Sequence, residues 1–135
     1  MPGIIALCVA YVLSQFYRSF LAVLVPVLSQ ELAMSPSQLA FASAAWFATF
    51  ALMQFPIGAW LDRHGPRRTA AWLHGVAGGG GAVLFAMAQS PLHVIVAMGL
   101  IGIGCAPVLM ASFYLFARRF SAASFATLGS TFIAV

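Results

Sequence analysis

The sequence contains no lysine and only two acidic residues, Glu31 and Asp62. Charged residues make up 6% of the 135 positions, against about 25% in typical soluble domains, while 63% of the positions are hydrophobic. A chain of this composition cannot cover a surface that faces water. The shortage of charge therefore excludes an ordinary soluble domain and predicts an integral membrane protein in contact with the lipid bilayer.

Groups that carry catalytic chemistry are also scarce. The chain has no nucleophile paired with a base, no cluster of metal ligands and no phosphate-binding loop, so we expect no enzyme, no metal site and no cofactor. Cys8 and Cys105 lie inside apolar runs without metal-binding spacing and are interpreted as small apolar fillers. The six arginines are too few and too scattered to follow nucleic-acid phosphates, so no nucleic-acid partner is expected.

Long apolar runs are what the sequence does contain. A helix needs about 20 apolar residues to cross a bilayer, and four runs reach that length. The predicted helices lie at roughly 4–28, 38–60, 69–89 and 92–117, and a fifth begins at 122 and is cut off at 135. These spans must be helical because lipid offers no partner for open backbone groups. The predicted fold class is thus all-α integral membrane, with four transmembrane helices and the start of a fifth.

Three helix ends carry recognisable signals. Ser35 and Ser90 each precede a proline, an arrangement typical of a capping serine followed by proline at the first helical position. Gln38, three residues after Ser35, completes a capping box. Gly65 lies where the second helix should stop.

Arginine placement predicts the orientation of the chain. The loops after the second and fourth helices carry Arg63, Arg67, Arg68, Arg118 and Arg119, whereas the loops after the first and third helices carry no arginine. Two basic loops separated by two spans lie on the same side, so both are expected in the cytoplasm, together with the amino terminus. We expect a multi-pass protein of the bacterial cytoplasmic (inner) membrane.

The first basic loop has a specific spacing. Gly58 is followed after three residues by Asp62 and Arg63, then by Gly65, Arg67 and Arg68. This pattern resembles the loop between helices 2 and 3 of the major facilitator superfamily of secondary transporters. The segments ALMQFPIG at 51–58, GIG at 102–104 with Pro107, and RRF at 118–120 are similar to that family as well.

The resemblance implies a transporter of a small solute that works by alternating access. All 135 residues fit the amino-terminal part of a twelve-helix fold, so we expect a fragment of the first six-helix half, whose partners are the missing carboxy-terminal helices. The resemblance also implies that Gly58, Asp62, Arg63, Gly65, Arg67 and Arg68 form a gate that bridges to the second half and holds one state closed. Arg67 and Arg68 are also expected to anchor the loop to anionic lipid headgroups. The alternative is that the arginines only set the topology and that Asp62 only caps a turn.

Arg18 lies well inside the first apolar run. Tyr11, Ser14, Gln15 and Arg18 recur at helical spacing and predict one polar stripe. The segment FYRSFLAVLVPVL at 16–28 resembles subfamilies that transport organic or inorganic anions, and helix 1 of the family lines the cavity. We therefore expect this stripe, with Gln54 of helix 2, to bind a small and possibly anionic substrate. The alternative is a structural or internally paired Arg18.

The spans contain no acidic residue away from their ends, so no proton-coupling carboxylate is present in this part of a transporter. His74 and His93 are candidate proton sites, with packing and interfacial roles as the alternatives.

Two other classes remain open. A self-contained four-helix protein, such as a small multidrug exporter, would need a glutamate in helix 1 where this chain has Arg18. A non-transporting assembly or regulatory protein could dimerise through the small-residue ladder of Ala71, Gly75 and Gly79. The ladder predicts close helix packing at these positions, with a hinge at the glycine run as the alternative.

Overall fold

A computed structural model describes residues 2–134, so the predicted end of the last helix at Val135 lies outside it. The described residues are almost entirely helical and form no strand. The elements are α1 (Pro2–Glu31), α2 (Pro36–His64), α3 (Pro66–Trp72), a π-helical segment (Leu73–Gly78), α4 (Gly79–Ala86), α5 (Pro91–Arg119) and α6 (Ala122–Ala134). Three of them, α1, α2 and α5, are long and apolar enough to cross a membrane.

The region predicted as the third span, 69–89, is divided in the structure. α3, the π-helical segment and α4 follow one another without a break and end at Ala86, so no single α-helix there is long enough to count as a span. Glycine is conformationally permissive, and Gly75 and Gly78 to Gly81 lie in or directly after the π-helical segment. The count of four spans plus the start of a fifth stays a prediction.

The predicted cap of α2 is confirmed. The Gln38 backbone N–H donates to Ser35 Oγ at 3.2 Å, and the Ser35 N–H donates to Gln38 Oε1 at 3.0 Å. This reciprocal pair satisfies two backbone donors that the first turn of a helix leaves free. Ser90 occupies the same position before α5, but its hydroxyl lies 3.0 Å from His93 Nδ1 and makes no bond to the backbone of the helix.

α5 forms the centre of the bundle, with α2 on one side and the π-helical segment with α4 on the other. Gly102 and Gly104, on opposite faces of α5, allow the two neighbouring elements to pack closely against it. A side chain at Gly102 would collide with Trp46 and Thr49 of α2, and one at Gly104 would collide with the backbone of Gly78. The GIG sequence thus lets α5 pack closely against two neighbours at one level.

Gly75 and Gly79 of the predicted small-residue ladder face no other helix within residues 2–134, so packing of the ladder against a partner stays a prediction. No atom lies within 4 Å of the position that a side chain would take at Gly75 or Gly79, and Ala71 is exposed. Gly78 and Gly81 make the close contacts with α5 instead. Both faces of this region are small and apolar, and packing in lipid has no hydrophobic driving force that would choose between them.

Candidate functional site

The polar stripe of α1 is divided between the core and the surface. Tyr11 is 6% exposed, and the centre of its ring lies 4.3 Å from the centre of the Phe132 ring in α6. Gln15 Nε2 donates to Tyr11 Oη at 2.7 Å. Ser14 is buried beside the Cys105 thiol of α5. The two buried residues of the stripe, Tyr11 and Ser14, therefore pack α1 against α6 and α5. Gln15 lies at the partly exposed edge of the stripe.

Arg18 is exposed, although it lies near the middle of α1. No hydrogen bond or ion pair joins its guanidinium to another residue within 2–134. Glu31 is about 20 Å further along the helix, beyond the reach of an arginine side chain. An arginine at mid-membrane costs about 2.5–3.5 kcal/mol on insertion scales, so its surroundings must include water, a ligand or a protein partner.

Gln54, the candidate in α2, is half-buried against α5. Its Nε2 donates to Phe50 O at 3.3 Å and lies 3.5 Å from Ala106 O across the helix pair. Its amide is thus engaged with the backbone of both helices. Thr49, one turn earlier, makes a firmer link of the same kind, donating to Gly99 O at 2.8 Å.

The sequence motif lies at one end of the bundle, which we call the basic end and define by Arg63, Arg67, Arg68, Arg118 and Arg119. All five arginine side chains are exposed. Asp62 is exposed as well and accepts a hydrogen bond of 3.4 Å from Tyr114 Oη. The Arg118 guanidinium carbon lies 4.5 Å from the centre of the Tyr114 ring, in a cation–π contact. Tyr114 therefore stands between the carboxylate of α2 and a guanidinium of α5.

The two motif glycines have different surroundings. Gly65 has φ +79° and ψ 161°, a backbone conformation that is essentially restricted to glycine. Its N–H donates to Leu61 O at 2.9 Å and closes α2, as predicted. Gly58 has no atom within 4 Å of the position that a side chain would take. Its surface is therefore open to a neighbour outside the described residues.

Sequence reasoning missed Tyr114 as a member of this site. Tyr114 and Arg118 are spaced i, i+4 and so share a face of α5. That spacing was the available signal, but nothing in the sequence placed their face beside Asp62.

His74 is the other polar group that packing singles out. Its Nδ1 lies 3.1 Å from Gly104 O, and because a carbonyl only accepts, Nδ1 must carry the proton. Its Nε2 is buried with no protein partner among residues 2–134. The ring lies at the closest approach of the π-helical segment to α5, and Tyr17 of α1 is 6.3 Å away, centre to centre. His93, by contrast, is exposed at the start of α5.

Within the described part of the chain, no three His, Cys, Asp or Glu side chains come together as metal ligands. The arrangement offers hydrogen-bonding and charged groups at two separate places, α1 and the basic end.

Comparison with known proteins identifies the family of the chain. No curated protein and no solved structure matches the chain. The sequence profile described as Major Facilitator Superfamily matches residues 7–134, which is nearly the whole chain and includes both the α1 stripe and the motif at the basic end. The chain belongs to the major facilitator superfamily.

Proposed function

We propose that this chain forms the amino-terminal part of a secondary transporter that moves a small anion across a membrane by alternating access. The family assignment supports transport of a small solute. Alternating access and the gate are what the family resemblance implies, and the anionic substrate is inferred from Arg18 and from the resemblance of the first helix to that of anion transporters.

The proposal of an anionic substrate rests on Arg18, which is exposed and has no hydrogen-bonding partner within residues 2–134. A guanidinium offers two parallel N–H donors to a carboxylate or a phosphate, which matches the geometry of either group. The charge of Arg18 can be tolerated near mid-membrane if it borders a water-filled cavity. In this proposal the substrate completes the stripe: it binds Arg18 and the outward groups of Gln15, while Tyr11 and Ser14 hold α1 in place.

Gln54 has a lesser part in the proposal. Because its amide already contacts two backbone carbonyls, it borders the substrate site and positions α2 against α5 there. A substrate would have to displace one of those contacts to bind it directly.

The motif at the basic end is the proposed gate. Arginine-rich loops favour the cytoplasm, so the basic end is the cytoplasmic end and the amino terminus is inside. Asp62 is exposed, and within residues 2–134 its hydrogen bond is to Tyr114 through Oδ1, so in this proposal its other oxygen accepts from an arginine or a helix amino terminus of the other half of the transporter. Contact there closes the cytoplasmic side, and its release opens it.

A binding screen on the protein containing this chain tests the anion proposal. The probes are inorganic phosphate, sulfate, succinate and glucose 6-phosphate, and the measurement is the shift in thermal unfolding temperature. We expect at least one probe to stabilise the parental protein, Arg18→Lys to keep part of the shift and Arg18→Gln to lose it. Arg119→Gln removes the same charge from the basic end and is expected to keep the full shift. Stabilisation by a probe that is equal in the parental protein and Arg18→Gln would overturn the role of Arg18.

A further inference from the structure

A groove lies at the turn between α2 and α3. We call it the corner groove; its volume is about 460 Å³, and it is lined by Trp60, His64, Arg68, Thr69, Trp72 and Leu73. Its lining is mostly apolar, although it lies at the basic end of the bundle. This inference does not depend on the identity of any transported substrate.

The lining residues are arranged in two layers. His64 and Arg68 lie on either side of the Gly65 turn and are exposed. Trp60 precedes His64 by one helical turn, and Trp72 follows Arg68 by one turn. Because α2 runs up to the turn and α3 runs away from it, both tryptophans lie about 6 Å deeper in the bundle than the polar pair. The groove is therefore basic at its mouth and aromatic below.

The walls of the groove are fixed by the fold. Thr69 Oγ1 donates to Trp60 O at 3.2 Å, which joins the start of α3 to the end of α2. The glycine-only conformation of Gly65 sets the turn above it. The proton of the Thr69 hydroxyl is used in this bond, so His64 and Arg68, with the indole N–H groups of the two tryptophans, are the side-chain donors at the groove.

The two tryptophans are unusually accessible for this residue type. Trp60 is 39% exposed and Trp72 is 71% exposed, whereas Trp46, the third tryptophan of the chain, is 4% exposed. Tryptophan is enriched at the boundary between the hydrocarbon core and the headgroups, where one end of the ring is apolar and the other is wet. The depth of Trp60 and Trp72 below the arginines places them at that boundary.

We propose that the corner groove binds one phospholipid with an anionic headgroup. The phosphate contacts the guanidinium of Arg68 with His64 beside it, and an acyl chain lies against Trp60, Trp72 and Leu73. The mouth favours a negative ligand because the loop carries three arginines, Arg63, Arg67 and Arg68, and one carboxylate, Asp62. The order of the two layers, charge outside and aromatic surface inside, matches a lipid rather than a soluble anion, which has no apolar tail to cover the tryptophans.

Fluorescence quenching by brominated lipids tests this proposal on the protein reconstituted in mixed vesicles. In one series the phosphatidylglycerol is brominated in a background of phosphatidylcholine, and in the other the labels are exchanged. Subtracting the signal of a Trp60→Phe/Trp72→Phe variant isolates the two groove tryptophans from all others. We expect brominated phosphatidylglycerol to quench them more strongly than brominated phosphatidylcholine at the same mole fraction.

The variants separate the groove from general surface charge. An arginine near an anionic membrane surface contributes binding free energy for anionic lipid. Its loss in Arg68→Gln should therefore lower the preference for phosphatidylglycerol about fivefold. Arg68→Lys, which keeps the charge, should retain most of it, and Arg119→Gln, which removes a charge elsewhere at the basic end, should leave it intact. The proposal is overturned if both lipids quench the parental protein equally, if the preference survives Arg68→Gln, or if Arg119→Gln lowers it as much.

Discussion

Tyr114 Oη donates a hydrogen bond of 3.4 Å to Asp62 Oδ1, and so joins the end of α2 to the end of α5 at the surface. The bond is long and both residues are accessible, which makes it weak. It orients the carboxylate without burying it, and Arg118 lies against the other side of the link, over the Tyr114 ring. The Asp62 carboxylate is therefore held by Tyr114 and still exposed, as the proposed gate requires.

Removing the Tyr114 hydroxyl should affect transport more than stability. Tyr114→Phe keeps the ring under Arg118 and removes only the bond to Asp62. A hydrogen bond to a charged group contributes about 1.5–3 kcal/mol, but this one is long and exposed, so the free energy of unfolding should fall by less than about 1 kcal/mol. Chemical denaturation measures the stability of the variant, and initial rates of uptake measure its transport. Both are recorded on the same preparation of protein. A large loss of stability with unchanged uptake would show that the link only supports the fold.

Gly65→Ala should destabilise the turn between α2 and α3. The φ of +79° with ψ of 161° is strained for any side chain, at a cost of about 1–3 kcal/mol. Gly58→Ala is the matched control in the same motif. The added methyl group has no neighbouring atom within 4 Å, so the unfolding temperature of this variant should not fall. If Gly58 admits a helix from the other half of the transporter, uptake should nevertheless decrease. Equal thermal stability of the Gly65→Ala and parental proteins would contradict the backbone argument.

Gly104→Ala should weaken the packing of α5 against the π-helical segment. The added methyl would collide with the Gly78 backbone, which cannot move as a side chain would, and overpacking of this kind costs about 1–3 kcal/mol. Gly80→Ala has no neighbour within 4 Å and should be neutral or stabilising by up to about 1 kcal/mol, because alanine favours the helix. Thermal unfolding in detergent compares the two. A Gly80→Ala protein less stable than Gly104→Ala would refute the assignment of the packing face.

His74→Gln should be tolerated better than His74→Leu. The His74 Nδ1–H is the donor to Gly104 O, and a glutamine amide offers a replacement donor of similar reach. Leucine leaves that bond unmade, at a cost of about 0.5–1.5 kcal/mol. The unfolding temperatures of the two variants and of His93→Leu, at an exposed position, measure the difference. Leucine and glutamine variants of equal stability would mean that the bond to Gly104 contributes nothing.

Local signals in the sequence were sufficient where the physics is local. The capping box at Ser35 and Gln38 and the stop at Gly65 depend on residues within one turn, and the structure contains both. Contacts between helices were less accessible to this reasoning. The packing role of Gly78 and Gly81, rather than Gly75 and Gly79, depends on how the helices rotate against each other, and all these positions are equally small.

The charged residues of the candidate site could be predicted from the sequence, whereas Tyr114 could not. Arg18 and the Asp62 motif stand out as charges in an apolar chain, and their positions follow directly from the sequence. Tyr114 does not stand out, because a tyrosine near a helix end is ordinary in a membrane protein. Its role depends on the side-by-side packing of α2 and α5, which periodicity alone does not determine.

Site-directed labelling of the α1 stripe tests the central claim of alternating access without knowledge of the substrate. In a protein with Cys8→Ser and Cys105→Ala, Gln15→Cys is labelled by a membrane-impermeant maleimide from the outer or the inner side of oriented vesicles. The account predicts labelling from both sides, and a shift toward the cytoplasmic side when Asp62→Asn weakens the gate. Labelling from one side only, with a ratio that Asp62→Asn does not change, would contradict it.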